Sequence, residues 1–398
     1  MNLPQLGEVE SSIRRLACKL QTVGTERIPL SQSLGRVLAA PLHADRDSPP
    51  SDVSAMDGYA LRHEEAGLSK LPVSTTITAG SPPVDLRPGE AIRVFTGASV
   101  PPTATCVVRR EDTIEASDWI SLRPEFAGAR AGMNIRKRGE NIRAGELVLP
   151  QGTCIDSVSI GAVATFAPSE VEVFQQVRVA VLATGDELVE PGNSVVPWQI
   201  RDSNQSCLVG WLQQLSWCQV VLCRRVPDTL EATTSALRES LQATDAVILT
   251  GGVSMGDTDF VPTAVKASQG TIEFHRLPIR PGKPVLGAHA SGKLILGLPG
   301  NPVSVAVTSR IMGLPLLQTL AGNVPNSASA NLRVHIGNSD GRSLPLHWYR
   351  LVDFDDQGNA RLIHTQGSGD LVSLAMSRGF IEQPPHLTGA GPWRLWQW

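Results

Sequence analysis

Four short apolar runs, each followed by a turn and then a helical pattern, constrain this chain more than any other feature. VRVAVLA (177–183), the run from Gln219 to Val226, DAVILT (245–250) and KLILGL (293–298) all have strand length. The first leads to a predicted helix begun at Ser203, with Leu208, Trp211, Leu212 and Leu215 on its buried side. The second leads to a helix that Asp228 is expected to cap, and the last to a helix with Asn301 as cap and Pro302 as first helical residue. Repeated βα units imply a mainly parallel sheet with helices on both faces.

The flanking segments have a different texture. Val9, Ile13, Leu16, Ala17 and Leu20 share one face of a predicted N-terminal helix, and a second short helix is expected from Ser31 to Ala39. Between Pro49 and about Gly152, short β-branched runs are broken by Gly and Pro, which predicts an all-β insert. After about Ala328 short strands return, suggesting a small terminal β domain in which Trp396 and Trp398 share one strand face, as packing residues do. With about 150 residues per domain as a prior, the 398 residues suggest several units.

A formal net charge of −3 gives no global positive field for nucleic acid or an anionic membrane, so any anion site is expected to be local. With no apolar leader pattern and no long uninterrupted apolar stretch, the expectation is a soluble, cytoplasmic protein. The six cysteines form no CxxC pair, which argues against a zinc ribbon or a redox motif.

Ligands of open parallel sheets bind at the carboxyl ends of strands, where loops and helix starts aim backbone N–H groups outward. Three such ends carry chemistry here: ATGDEL (183–188), TGGVSMGDTDF (250–260) and GLPGNPVS (297–304). Gly251, Gly252, Gly256 and Gly300 allow close approach of a phosphate, and Ser254 and Ser304 offer hydroxyls. The same loops bring Asp186, Glu187, Asp257 and Asp259, with Asp228 as a candidate neighbour. Carboxylates beside a phosphate repel it unless a divalent cation lies between them, so the combination points to magnesium (Mg2+). The plainer alternative is that Asp186 and Asp257 serve turns and that Asp228 only caps its helix. RPGKP (280–284) sets Arg280 and Lys283 in a stiff loop suited to a small oxyanion. Gly252 to Gly256 also fits G-x-S-x-G, a hydrolase elbow with Ser254 as nucleophile and Asp257, Asp259, His275 or His289 as partners, but the residues that follow are turn-like rather than helical.

SAMDGYA (54–60), FTGA (95–98), NIRKRGE (134–140), ATGDEL, RDSN (201–204), GGVSMGDTDF, RPGKP and GLPGNPVS, in that order, resemble the molybdopterin molybdenumtransferases, the bacterial MoeA proteins and gephyrin E domains, over nearly the whole length. The resemblance implies a multidomain α/β plus β fold. Its parts are a discontinuous elongated domain (1–48 and 142–175), a β-rich lid insert (49–141), a central MoaB/MogA-like α/β domain (176–327) and a C-terminal β-barrel-like domain (328–398). It implies insertion of molybdate into adenylylated molybdopterin with release of AMP, a magnesium requirement, and a homodimer whose cleft lies between the α/β domain of one subunit and the Asp57-bearing insert of the other. Carried over motif by motif, Asp57, Thr96, Glu187, Asp228 and Asp259 are its functional residues, and the last three are the expected metal ligands. Gly251, Gly252, Ser254 and Gly256 match its nucleotide-contacting loop, and Pro299, Gly300, Asn301, Pro302 and Ser304 its pocket loop. Arg280, Lys283, Arg342 and Ser373 match its oxyanion-binding positions.

Two departures from the family pattern bear on activity. Asn141 stands where the family commonly has an acid, and an amide cannot act as a base. RPGKP also places Arg280 where lysine is usual, exchanging a point cation for a planar fork. The expected function is therefore the transferase, with a non-catalytic pterin-binding or scaffold relative as the alternative and a Ser254 hydrolase as the weaker one.

Overall fold

The computed structural model describes residues 8–126, 128–167, 169–254, 256, 259–324 and 332–398. The chain forms two compact units, one comprising residues 1–40, 150–160 and 169–398, the other residues 41–149 and 161–168.

The first unit is organised by a six-stranded sheet in the spatial order Cys218–Val226, Val177–Thr184, Ala246–Thr250, Lys293–Leu298, Leu286–Ala290, Thr271–His275. The first four strands are parallel, Leu286–Ala290 runs antiparallel to both its neighbours, and Thr271–His275 at the edge shares the direction of the first four. The expected mainly parallel sheet is thus present with one antiparallel strand next to its edge. Strand alternation sends Val177, Val179 and Val181 to one face with Leu208, Trp211 and Leu212 of the helix Ser203–Gln213. It sends Ala180 and Leu182 to the other face, with Leu237 of the helix Leu230–Ala243 and Val261 of the helix Val261–Ala267. Burial on both faces is why these strands read as continuous apolar runs.

A second six-stranded sheet in this unit runs Ile279–Arg280, His347–Phe354, Gly379–Gln383, Trp393–Gln397, Arg333–Val334, with Ala360–Leu362 paired to His347–Phe354. Trp396 stacks on Phe380 at 5.4 Å between ring centroids, and Trp398 lies 5.1 Å from the same ring, so both tryptophans are packing residues. Antiparallel pairing of Thr25–Pro29 with Glu170–Phe174 ties the distant ends of this unit's early segments together. The N-terminal helix spans Glu8–Ala17, with Val9 and Leu16 in the core.

The second unit is built on a six-stranded sheet in the order Cys106–Arg109, Gly58–Leu61, Ala91–Val94, Leu71–Ile77, Trp119–Leu122, Thr113–Glu115. Leu61, Leu71, Val108 and Ile120 fill one face, and Ala60, Ile77, Ile92 and Val107 the other.

Two local expectations are corrected. Ser31 to Ala39 is not a helix: a single 3-10 turn, Leu30–Gln32, precedes Gly35 at φ +76°, and Val37 and Leu38 then bridge to Cys154 and Val173 as extended chain. Asp228 does not cap the following helix either. That position belongs to Thr229, whose hydroxyl accepts from the Ala232 N–H at 3.2 Å, leaving the Asp228 carboxylate for other work. Among the described residues one helical run, Pro302–Leu320, is long and apolar enough to cross a membrane by length and composition. It is 72% buried within the protein, as a core helix is.

The cap assignment separates two neighbouring substitutions. Thr229→Ala is expected to lower unfolding free energy by about 1 kcal/mol, whereas Asp228→Asn removes no cap and should leave the denaturation midpoint close to that of the parent; paired urea titrations check the difference.

Candidate active site

Strand order determines where the site forms. Val177–Thr184 comes first in the sheet but lies inside it, with Cys218–Val226 on one side and Ala246–Thr250 on the other. The chain leaving Thr184 therefore departs toward one edge and the chain leaving Thr250 toward the opposite edge, which opens a crevice between the two exits. A cavity of about 520 Å³ occupies this place, lined by Thr184, Gly185, Glu187, Asp202, Asn204, Asp228, Thr250, Gly251, Gly252, Asp259, Gly300, Asn301 and Pro302 among others.

Backbone conformation makes room there. Gly251 has φ +84°, and a Cβ on it would lie 2.6 Å from the Thr184 carbonyl oxygen. Gly185 has φ +147°, and a Cβ there would meet the Glu187 carboxylate at 2.7 Å. Both positions require glycine. Asp202 caps the helix Ser203–Gln213 by accepting from the Gln205 N–H at 3.0 Å. Asn204, two residues on, donates through Nδ2 to the Gly300 carbonyl at 2.6 Å and so anchors the GLPGNP loop to the crevice.

The acids of this cavity sense one another. The Asp228 N–H donates to Asp186 Oδ1 at 3.1 Å. Partial burial is the main cause that holds the Asp228 carboxyl above the ordinary aspartate range, and the negative charges of Asp186, Glu187 and Asp259 push the same way, against a backbone hydrogen bond from Asp186. Asp259 also accepts from the Gly256 N–H at 2.6 Å, closing the turn before the helix Val261–Ala267. Among the described residues no group of three or more His, Cys, Asp or Glu side chains is placed so that it could hold a metal ion. Asp257 lies outside the described residues.

A second cavity, of about 690 Å³, adjoins the first across Asn301, which lines both. It takes in Arg280, Lys283, Pro299, Ser304, Asp340, Arg342, Trp348 and Arg350. Parallel pairing of Arg280 with Trp348 carries RPGKP onto the C-terminal sheet. Thus Glu187, Asp228, Asp259, Gly251, Gly252, Gly300, Asn301 and Pro302 meet in the first cavity, and Arg280, Lys283, Pro299, Ser304 and Arg342 in the second.

The remaining candidates lie elsewhere. Ser254 and Gly256 are exposed and line neither cavity. Ser373 is also outside both linings: its hydroxyl donates to Asp370 Oδ2 at 2.7 Å, and that bond leads the set holding the Asp370 carboxyl down at about 2. Asp57 and Thr96 belong to the second compact unit, where the Thr96 N–H and hydroxyl both donate to Asp57 Oδ1 at 2.7 Å. These two bonds, the backbone one foremost, hold Asp57 below the usual aspartate range. Asn141, in the same unit, accepts from Arg136 at 2.7 Å and donates to Ser48 Oγ at 3.3 Å. The hydrolase elbow is not formed: the strand ends at Thr250, the next helix begins at Val261, and His275 Nε2 is bonded to the Val253 carbonyl at 2.7 Å.

Residues that sequence reasoning did not assign complete the picture. Asp202 and Asn204 are visible only as part of a motif, Trp348 and Arg350 carry no local signal except the alternation of a strand, and Asp340, next to Gly341, reads only as a turn residue.

The glycine-lined crevice at a sheet switch point defines the class first. Residues 180–319 match the family described as "Probable molybdopterin binding domain", and residues 6–167 match the "MoeA N-terminal region (domain I and II)". The molybdopterin molybdenumtransferase of Staphylococcus epidermidis is 35% identical over 321 residues, covering 79% of this chain and 76% of the relative. That of Nostoc sp. is 31% identical over 402 residues, covering 96% and 90%. The MoeA protein of Pyrococcus horikoshii OT3 superposes with a TM-score of 0.81 at 25% identity over 98% of each chain. The chain belongs to the MoeA family of molybdopterin molybdenumtransferases.

The cationic cavity makes a prediction about acid stability. Arg350 donates to both oxygens of Asp340, at 2.9 and 2.6 Å, and this pairing is the leading cause that lowers the Asp340 carboxyl to about 2 from 3.8. A depressed folded-state pKa adds stability above the unfolded value and loses it as pH falls through the folded one. The melting-temperature gap between the parent and Asp340→Asn should be present at pH 5 and close as pH falls from 3.8 toward 2; a gap that persists unchanged at pH 2 contradicts the assignment.

Proposed function

We propose that this protein inserts molybdate into adenylylated molybdopterin, with release of AMP and the finished molybdenum cofactor. The observation that carries this reading is the pair of adjoining cavities, one lined by glycines and acids at the sheet exits and the other by cations, divided by the loop 299–302. Both guests are anions: the cationic cavity can take a small dianion directly, and the acid-lined one can take the phosphates of a nucleotide only with a cation between them.

Glu187, Asp228 and Asp259 present hard oxygen donors, and the raised pKa of Asp228 marks negative charge that lacks a counterion. That donor chemistry fits magnesium, which keeps several waters and takes one or two carboxylates together with substrate phosphates rather than a protein cage. Bound there, the cation would neutralise the phosphoanhydride. The chain's own groups do the rest. Gly251 and Gly252 let phosphate oxygens approach the backbone, Asn204 fixes the Gly300 carbonyl, and Arg280, Lys283 and Arg342 hold the oxyanion until the dithiolene sulfurs reach it. Asp57, Thr96, Ser254, Gly256 and Ser373 enter the proposal through the family pattern, as do the homodimer, the cytoplasmic location and the division into four domains.

Purified protein with adenylylated molybdopterin, magnesium and molybdate should release AMP, and the absence of release at saturation would remove the reading. Asp228→Asn should cut turnover about a hundredfold with the melting temperature kept, as expected when transition-state charge loses its organised partner. Lys283→Ala should raise the molybdate KM about tenfold, with less change in kcat, the loss of one charge-assisted contact. A non-catalytic relative is the second reading, favoured by the neutral Asn141 between Arg136 and Ser48. It requires an inactive parent in which Asn141→Asp restores turnover.

A further inference from the structure

The geometry points to Trp348 as a positioning residue that holds the guanidinium groups of Arg280 and Arg342 ready for the oxyanion. This inference rests on the functional reading above and extends it to a residue that the family motifs do not reach. The Arg350 guanidinium carbon lies 4.1 Å from the Trp348 ring centroid, that of Arg342 5.4 Å and that of Arg280 5.7 Å. All four side chains line the same cavity as Lys283.

The three arginines are not equivalent. Arg350 is neutralised by Asp340 through two hydrogen bonds and is further held by Gln383 Oε1 at 3.3 Å. Among the described residues, Arg280, Arg342 and Lys283 have no carboxylate within ion-pair distance. Three cations without an ion-pair partner thus line one cavity, Asp340 attracting Arg342 only at longer range, and like charges lining one cavity repel, which favours long side chains swinging apart into solvent. A tryptophan face attracts cations through its quadrupole and offsets that repulsion. Trp348 also cannot drift, because its strand pairs with Ile279–Arg280 on one side and with Gly379–Gln383 on the other. The ring is therefore a fixed platform between two flexible forks. The Asp340–Arg350 pair beside it fills the near position and leaves Arg280 and Arg342 free for the ligand.

Trp348→Leu keeps apolar bulk and removes the ring quadrupole, and Trp348→Phe keeps a weaker ring face. The leucine variant should raise the molybdate KM about tenfold with kcat changed less than twofold, and the phenylalanine variant should recover most of the loss, given that tryptophan is the best cation-holding ring. Equilibrium dialysis with molybdate alone should show the same order of affinities. A leucine variant that melts like the parent and binds molybdate equally well overturns the inference. So does an equal loss in both variants, which would mean shape alone matters. Failure of the functional reading looks different: the parent would release no AMP, yet dialysis would still report whether Trp348 governs molybdate affinity. If Trp348→Leu does not fold, the parent and Trp348→Phe decide the matter, since the weaker ring must then show a measurable rise in KM for the inference to stand.

Discussion

The placement of Val177–Thr184 inside its sheet, although it comes first in the chain, is the constraint from which the site descends. Because the next strand joins on one side and the one after on the other, right-handed crossovers put Ser203–Gln213 on one face and Leu230–Ala243 on the opposite face. The exits at Thr184 and Thr250 then diverge, and nothing in the sheet fills the gap between them. The glycines at 185, 251 and 252 are consequences of this opening, since side chains there would strike Thr184 or Glu187.

The GLPGNP loop turns one opening into two chambers of opposite character. Lys293–Leu298 ends beside Ala246–Thr250, so its exit loop necessarily passes the crevice, and Asn204 fastens that loop through the Gly300 carbonyl. Acids collect on the side of the sheet exits, where burial first and then its acidic neighbours raise Asp228. Cations collect on the side of the C-terminal sheet. Charges of opposite sign thus sit on opposite sides of a few residues of backbone.

Much of the α/β region and of the acid-lined chamber was legible in the sequence because the information is local: apolar runs announce strands, and the loops that follow them are by topology the ligand-facing ones. The cationic chamber was legible only in part. RPGKP could be recognised, but its companions Trp348 and Arg350 arrive from a strand nearly seventy residues later through the pairing of Arg280 with Trp348, and Asp340 from the chain that precedes this strand, which no local pattern encodes. The two secondary-structure corrections have different causes. At Asp228 and Thr229 two competent capping residues are adjacent, and only the backbone conformation of Thr229 decides between them. From Ser31 to Ala39 a helix-compatible pattern is overridden by Gly35 and by bridges to chain more than a hundred residues away.

Environment also sorts carboxylates that composition treats alike. Asp57 accepts two short hydrogen bonds on one oxygen from Thr96, which stabilises its charged form and keeps it an acceptor at any neutral pH. Such a group is suited to orienting a donor, such as a water molecule, and poorly suited to carrying a proton. Asp228 is pushed the other way by burial and by three neighbouring acids, so its charged form is the one in need of help. A cation or a proton relieves it. The protein thus divides these carboxylates into one whose charge is stabilised and one whose charge is strained. Asn141 stands outside that division. Its amide accepts from Arg136 and donates to Ser48, whereas an aspartate there would accept from both, with the Ser48 hydroxyl turned to donate.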